Sequence, residues 1–521
     1  MDEPDESSAE PIADDETASD QTSLLRRALK SAGGDAARYL PVRFIPALTS
    51  LVTVPLFTRL IDKGDYGDYF LMSSVITLMS SLAVAWLGTS AVRFFWPSKK
   101  EGRADEFTAT TLWLTVGCLV GAAALVGGVI WFGRGYWPAG VVRLAPIALA
   151  CFLANYLYTT LLQMLRAANR AGEYARLSMT YTGLSTAFSI LFVWLFKTGS
   201  WGIFAGIAAG SIAIIPFVLR GVAAGGSLSP RHVDRSMARE LLHYGLPLVP
   251  VGVSSWVLVL LDRFVIGWAR GAAEVGVYSV AYGLGQRIME LVTLPLLLTM
   301  APMVIRAFEQ DGQDLAERLQ TQFTRYFAIV TLPLLAGLAS ASRPFMAVFT
   351  GPAYREAYAV LPVVAAGVML SALAQIASQG LSLHKKTTSI LANTLVAAAF
   401  NVVANIVLVP IYGYQAAAWT TAASYALRLA LMWHSSREVM HWRLPWDGLA
   451  RISVASVGMA VILWGVFLKV TPSLATLLLE VAIGVAVYAG LLAALKGVRR
   501  DELAFVKGLA ARGIARVRGR S

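Results

Sequence analysis

Charge is scarce in this chain. Only 15% of its 521 residues are Asp, Glu, Lys or Arg, where soluble domains carry about a quarter, which excludes an ordinary water-soluble globular enzyme. Cysteine is scarcer still. Cys118 and Cys151 both fall inside apolar runs, so neither a disulfide framework nor a cysteine metal site is indicated. The five histidines, His232, His243, His384, His434 and His441, stand near loops expected to be cytoplasmic. Long loops are missing too: the longest connections, 220–241 and 303–322, are too small for a catalytic domain. The expectation is a protein that is not an enzyme, with no metal and no cofactor.

What the chain has instead is grease. Hydrophobic residues make up 56% of it and its mean hydropathy is +0.61. Apolar runs of about 18 to 25 residues recur, each long enough to cross a hydrocarbon core of roughly 30 Å. The pattern predicts an all-α polytopic membrane protein with about fourteen transmembrane helices. Their expected positions are 39–60, 68–92, 107–132, 143–165, 174–196, 201–219 and 242–261, then 275–302, 323–341, 356–382, 387–410, 414–434, 450–469 and 472–495.

The first twenty residues hold nine acids and no base, and they lack an apolar stretch, so they read as a disordered tail and not a signal peptide. Without those acids the net charge rises from +12 to +21. The bases sit in loops between spans, which argues for orientation beside anionic membrane lipid and against nucleic acid. With cytoplasmic N- and C-termini, 31 of the 44 bases fall inside, ten outside, and Arg43, Arg287 and Arg428 within spans.

The chain also resembles itself. "VRFIPALTSLVTVPLFTRLI" (42–61) lies over "LPLVPVGVSSWVLVLLDRFV" (246–265) at an offset of 204, pairing Pro46 with Pro250, Ser50 with Ser254 and Arg59 with Arg263. Gly67 and Tyr69 match Gly276 and Tyr278 at 209, and Gly202 matches Gly413 at 211. Six spans per unit make the repeats parallel about an axis along the membrane normal, as in carriers that rock around a central site. The expected organisation is a cytoplasmic segment 1–38, acidic then basic, an N-lobe 39–219 and a linker 220–241. A C-lobe 242–434, two extra C-terminal spans in 450–495 and a basic tail 496–521 follow.

Two stretches resemble a known family. "LVTVPLFTRLIDKGDYGDYFLMSSVITLMSSLAVAWLGTSAVRFF" (51–95) is similar to the N-terminal signature of the bacterial polysaccharide transporters, the oligosaccharide flippases. "YGLPLVPVGVSSWVLVLLDRFVIG" with "VGVYSVAYGL" (244–284) resembles their second-half signature, and "KGVRRDELAFVKGL" (496–509) their basic closing segment. The resemblance implies a two-lobed bundle in the bacterial cytoplasmic membrane. It implies translocation of lipid-linked oligosaccharide repeat units, usually on undecaprenyl pyrophosphate, to the outer leaflet for exopolysaccharide, capsule or O-antigen synthesis. Polysaccharide polymerase or assembly proteins are the implied partners. Another exporter of the same superfamily (a lipid II flippase or a multidrug/cation antiporter) and an integral assembly enzyme stay open. The multidrug extruders are expected to carry an acid in span one, where this chain has Arg43.

Candidate residues follow from the cost of charge in lipid, roughly 2.5–3.5 kcal/mol at the bilayer centre on insertion scales. Arg287 lies about 16 Å along span eight, near the midplane. Glu290, three positions on, shares nearly the same face and is expected to orient Arg287 or to carry a proton. Arg43 and Arg428 are further cations for a phosphorylated cargo, each within reach of the cytoplasmic edge. Asp262 and Arg263 end the seventh span, and with Arg59 they are gate candidates or plain interfacial stops. Gln286, Asn155, Gln163, Gln375, Gln379, Asn401 and Asn405 are expected either to line a polar groove or to join helices by hydrogen bonds.

Overall fold

The computed structural model describes residues 48–442 and 444–497. The acidic N-terminal segment, Arg43, Pro46 and the basic tail beyond Gly497 lie outside the described residues. All regular structure among the described residues is helical: α1 (Leu48–Leu60), then α2 (Lys63–Ala83), α3 (Ala85–Lys100), α4 (Ala104–Phe132), α5 (Ala139–Ala167), α6 (Ala171–Leu195) and α7 (Ser200–Ala223). After them come α8 (Arg235–Gly245), α9 (Val249–Arg270), α10 (Ala272–Gln310), α11 (Gln313–Ser340), α12 (Ser342–Phe349), α13 (Val360–Ala377), α14 (Gln379–Leu383), α15 (Thr387–Tyr412), α16 (Tyr414–Arg437), α17 (Trp446–Phe467) and α18 (Leu474–Ala494).

Twelve helices among the described residues are long and apolar enough to cross a membrane, not the fourteen expected. The first expected span is described only from Leu48, as a shorter apolar helix. The other shortfall is α16, which has the length but carries Gln415, Thr420, Thr421, Ser424, Arg428 and His434. Thr420, Thr421 and Ser424 are buried against neighbouring helices, while Gln415 and His434 are exposed. The boundary expected at residue 261 is also corrected. Helix α9 runs on to Arg270, because Asp262 and Arg263 compensate each other inside the bundle and do not stop the helix.

Helices α2 to α7 form one unit, with α5 and α6 both packed on α7, and α2 and α4 on α5. Helices α9 to α16 form another, in which α13 and α15 pack on α16, α10 on α13 and α9 on α15. The extra pair α17 and α18 attaches to the second unit through α11. The apolar cores show how the units sit together. One large cluster joins both, through residues such as Tyr66, Met72, Tyr278 and Leu361. At the opposite end the cores are separate, one around Phe107, Leu161 and Val218 and the other around Met300, Phe327 and Met432. The two units thus share one core at one end and keep separate cores at the other.

The fusion is closest between α2 and α10. A Cβ on Gly67 would lie 1.7 Å from the Ala272 carbonyl oxygen, and one on Gly276 would lie 2.2 Å from the Lys63 oxygen. The two glycines that the sequence pairs at an offset of 209 therefore meet each other, and only a hydrogen fits on either side. The pairing of Gly202 with Gly413 fares differently. Gly413 caps α16 with φ 69° and ψ −158°, and the residue in that conformation before α7 is Gly199, at φ 58° and ψ −141°.

The connection between the units docks on the first one. Helix α8 buries Met237 and Leu241, and Gly245 packs so closely on Trp86 that a Cβ would lie 2.1 Å from the indole. Arg103 reaches Asp234 at 3.0 Å. Hydrogen bonds from the Ser236 hydroxyl and the Met237 amide, with Arg103 beside them, hold the Asp234 carboxyl below the usual carboxylate range.

Candidate substrate cavity and intramembrane charges

Four residues of α10, Tyr278, Tyr282, Gln286 and Glu290, recur at intervals of four and so form one ridge. Its outer half closes on a buried ion pair. Asp262 and Arg263 are 1% and 5% exposed and 3.2 Å apart. The Tyr278 hydroxyl donates to Asp262, and Arg263 donates to the Val259 carbonyl at 2.7 Å. The Arg263 guanidinium lies 4.8 Å from the centre of the Tyr282 ring. With every charge matched and no water access, this pair is internal to the second unit. The interfacial-stop expectation fails for it.

The inner half of the ridge is wetter. Gln286 donates to Glu290 at 2.7 Å, one turn away along the ridge. Tyr425 of α16 stands between the two halves and interacts electrostatically with Asp262, Glu290 and Arg428. Arg428 is largely enclosed, and its Nε is buried with no hydrogen-bond partner among the described residues. Arg287 is one position off the ridge, about 100° around the helix. Its side chain is exposed, and its charge acts on the Tyr66 and Tyr69 hydroxyls of α2. Tyr66 and Tyr69 stand on α2, which packs against α10 at the junction of the units.

Across that junction the first unit presents a cavity of about 480 Å³ between α2, α3 and α5, closed on one side by Tyr244 of α8. Gln163 lines it, as the groove expectation requires, and accepts from Arg166 at 3.3 Å. Arg93, Arg166, Tyr156, Thr159 and Thr160 also line it, and none of these was singled out beforehand. Arg93 and Arg166 had been counted only as orientation charges. The available signal was spacing: Thr89 with Arg93, and Gln163 with Arg166, each share a helix face.

Among the other polar residues, the asparagines join helices, the second of the two alternatives. Asn401 and Asn405 are both fully buried. Asn401 donates to Thr421 at 3.4 Å, and Thr420 donates to Asn405 at 3.0 Å. They join α15 to α16 and line no groove, since facing small residues let the two backbones approach. Asn155 donates to Tyr181 and so ties α5 to α6. Gln375 is exposed near the end of α13, and Gln379 is half-buried at the start of α14. Trp86 and Trp256 are buried, and the Trp256 indole donates across the junction to the Ser74 carbonyl at 2.9 Å. Arg59 is exposed at the fused end, where it bonds Pro55 at 2.8 Å and, across the units, Val348 at 3.0 Å. Beside it Gly351 donates to Thr58 at 2.9 Å and Tyr354 to the Ile61 carbonyl at 3.2 Å.

Two helical units joined by one apolar core thus carry a polar, cationic space in the first of them. The sequence profile of the polysaccharide biosynthesis protein family matches residues 56–359, and the chain belongs to that family. It is 22% identical over 228 residues to the probable low-salt glycan biosynthesis flippase Agl15 of Haloferax volcanii. That match takes in 44% of this chain and 48% of the relative, so the chain spans about half the length of the curated relative it matches. Among solved structures, the lipid II flippase MurJ in an inward closed conformation aligns with a TM-score of 0.70 and 14% identity, over 88% of this chain and 97% of that one. An inward-facing multidrug resistance MATE family transporter aligns with a TM-score of 0.63 and 15% identity, over 77% and 94%. At such identities the two structures establish the fold. The chain is a multi-pass member of the superfamily that contains the polysaccharide flippases, the lipid II flippase and the MATE transporters.

Proposed function

We propose that this protein flips lipid-linked oligosaccharide, carried on an undecaprenyl pyrophosphate-type lipid, from the cytoplasmic to the outer leaflet of a bacterial inner membrane. Its termini are cytoplasmic in this reading, and polymerase or assembly proteins take up the glycan outside. The observation that supports the proposal is Arg287, an exposed guanidinium within the long apolar helix α10, at a position that helical rise puts near mid-membrane depth. A cation is kept at such depth when it meets a cavity or a partner. A planar guanidinium matches phosphate oxygens in a bidentate geometry, and low dielectric strengthens the attraction. Arg428 is a second cation for the same headgroup, Arg43 a third, and Arg59 belongs to the outer latch. Gln286 positions Glu290, which is the candidate for coupling to a proton gradient.

Cells lacking the protein are expected to accumulate a lipid-linked repeat unit on the cytoplasmic side. Arg287→Gln, at normal membrane abundance, is expected to lower transport at least about 10-fold, since a charge-assisted hydrogen bond contributes roughly 1.5–3 kcal/mol. Wild-type transport by that variant overturns the central role of Arg287. Glu290→Gln is expected to abolish the response of transport to an imposed pH gradient, and an unchanged response removes Glu290 from coupling.

A second reading, export of a lipid II-type precursor, draws on the same chemistry. It is favoured by the alignment with the lipid II flippase over 97% of that chain. Rescue of cells depleted of their own lipid II flippase distinguishes it from the first.

A further inference from the structure

The cavity of the first unit holds more than a hydrated wall needs. Two guanidiniums line it, those of Arg93 and Arg166, and no acid does. Both side chains are exposed, yet both are held: Arg166 by Gln163 at 3.3 Å, and Arg93 over the Tyr244 ring at 5.5 Å from its centre. Beside them Thr159 and Thr160 donate to the Tyr156 carbonyl at 3.0 and 2.9 Å. Their hydroxyl lone pairs are left to accept hydrogen bonds from a ligand.

Depth separates this cluster from Arg287. The contact of Gly67 with Gly276 sets α2 and α10 at one level. Arg287 is 11 residues beyond Gly276 and Arg93 is 26 beyond Gly67. The 15-residue difference is about 20 Å along a straight helix and less across the bend at Val84 between α2 and α3, so the two sit at different levels. Position separates them as well. A diphosphate anchored by a prenyl chain must travel where the units open to lipid, whereas this cavity is lined by α2, α3, α5 and α8 alone. Helix α8 is fastened to α3 by the Gly245 contact with Trp86 and by the Ser90 hydroxyl, 3.3 Å from the Leu241 carbonyl. The cavity therefore moves as part of the first unit.

We propose that the cavity is a glycan subsite for an acidic sugar. Arg93 and Arg166 hold the anionic group of that sugar, and the hydroxyls of Thr159 and Thr160 with the Gln163 amide hold its ring. The proposal rests on the flippase reading above and narrows its cargo to glycans that carry a carboxylate or a phosphate substituent. Guanidinium pairs suit either oxygen group, and sugar hydroxyls need the donors and acceptors that surround them.

The test uses the full-length protein in lipid nanodiscs and saturation-transfer NMR. The probes are a glucuronic acid-containing disaccharide, its neutral glucose counterpart and inorganic pyrophosphate. The acidic disaccharide is expected to bind at least about 10-fold more tightly than the neutral one, by the strength of charge-assisted bonds. Arg93→Gln and Arg166→Gln are each expected to erase that preference, with unfolding temperatures unchanged because both side chains are exposed. Arg287→Gln is expected to leave the preference intact and to weaken pyrophosphate instead. Equal binding of the two disaccharides overturns the proposal. So does a loss of pyrophosphate, and not of the acidic sugar, in Arg93→Gln and Arg166→Gln, which would make the cavity a diphosphate station. Either failure leaves the flippase reading standing, because that reading is tested by transport in Arg287→Gln.

Discussion

Gly67→Ala and Gly276→Ala are each expected to open the fused end of the bundle. An added Cβ would fall 1.7 Å from the Ala272 oxygen in the first case and 2.2 Å from the Lys63 oxygen in the second. These are backbone atoms within helices and cannot turn aside, so α2 and α10 must separate by more than an ångström. Overpacking of this kind costs about 1–3 kcal/mol. If the contact exists only when the outer end is shut, the whole cost falls on that state, and its population drops roughly 5- to 150-fold relative to open states. The measurement is thiol labelling from outside the cell with an impermeant reagent. Ser279→Cys is the reporter, in a background where Cys118 and Cys151 are alanine. Ser279 is 1% exposed, one turn from Gly276. Labelling at least tenfold faster with either alanine is the expected result, and an unchanged rate would show that the seam is not the closure. The double variant should gain little over a single one, since both glycines report one contact.

Arg263→Ala is expected to be the most destabilising single replacement among the charged groups. It removes the cation from a carboxylate whose side chain is only 2% exposed, and breaking one partner of a buried pair costs about 3–5 kcal/mol. The double variant Asp262→Asn with Arg263→Leu should recover most of that loss, because no uncompensated charge remains. Unfolding of the purified protein in detergent measures both terms, with Asp262→Asn, Arg263→Leu and their double variant in a double-mutant cycle beside Arg263→Ala. If Arg263→Ala were as stable as the parent, Asp262 would not depend on Arg263 for its accommodation. The tyrosine hydroxyl of Tyr278 would then be its principal partner.

Much of the fold could be read from the sequence because hydropathy reports burial in lipid directly. Helix α16 was read as the span 414–434 and forms as Tyr414–Arg437, but the burial of Thr420, Thr421 and Ser424 was not legible, since hydropathy cannot tell a polar residue in water from one bonded to a neighbouring helix. The same blindness explains Asn401 and Asn405. Their spacing gave the face they share, and nothing in it says that the face meets α16 and not a groove. Asp262 and Arg263 were read as a helix end because adjacent charges usually mark one; their neutralisation by Tyr278 and Tyr282 depends on α10, which lies beyond any local window. The spacing of Gln286 and Glu290 puts them on one face, and their hydrogen bond was not singled out. Arg93 and Arg166 escaped notice because each sits where loop charges are expected, and only the bend of the chain at Val84 between α2 and α3 brings them around one space.

The seam between Gly67 and Gly276 has a further consequence. A contact in which one residue meets its own counterpart 209 positions later, and each counterpart's neighbour four residues earlier supplies the facing carbonyl, is the geometry two copies of a single chain make about a twofold axis. Beyond the seam that symmetry ends: α10 carries Tyr282, Gln286 and Glu290 on one ridge, while α2 carries Ser73, Thr77 and Ser81 at the corresponding positions. The backbone contact is matched on its two sides, and the polar chemistry next to it belongs to one helix.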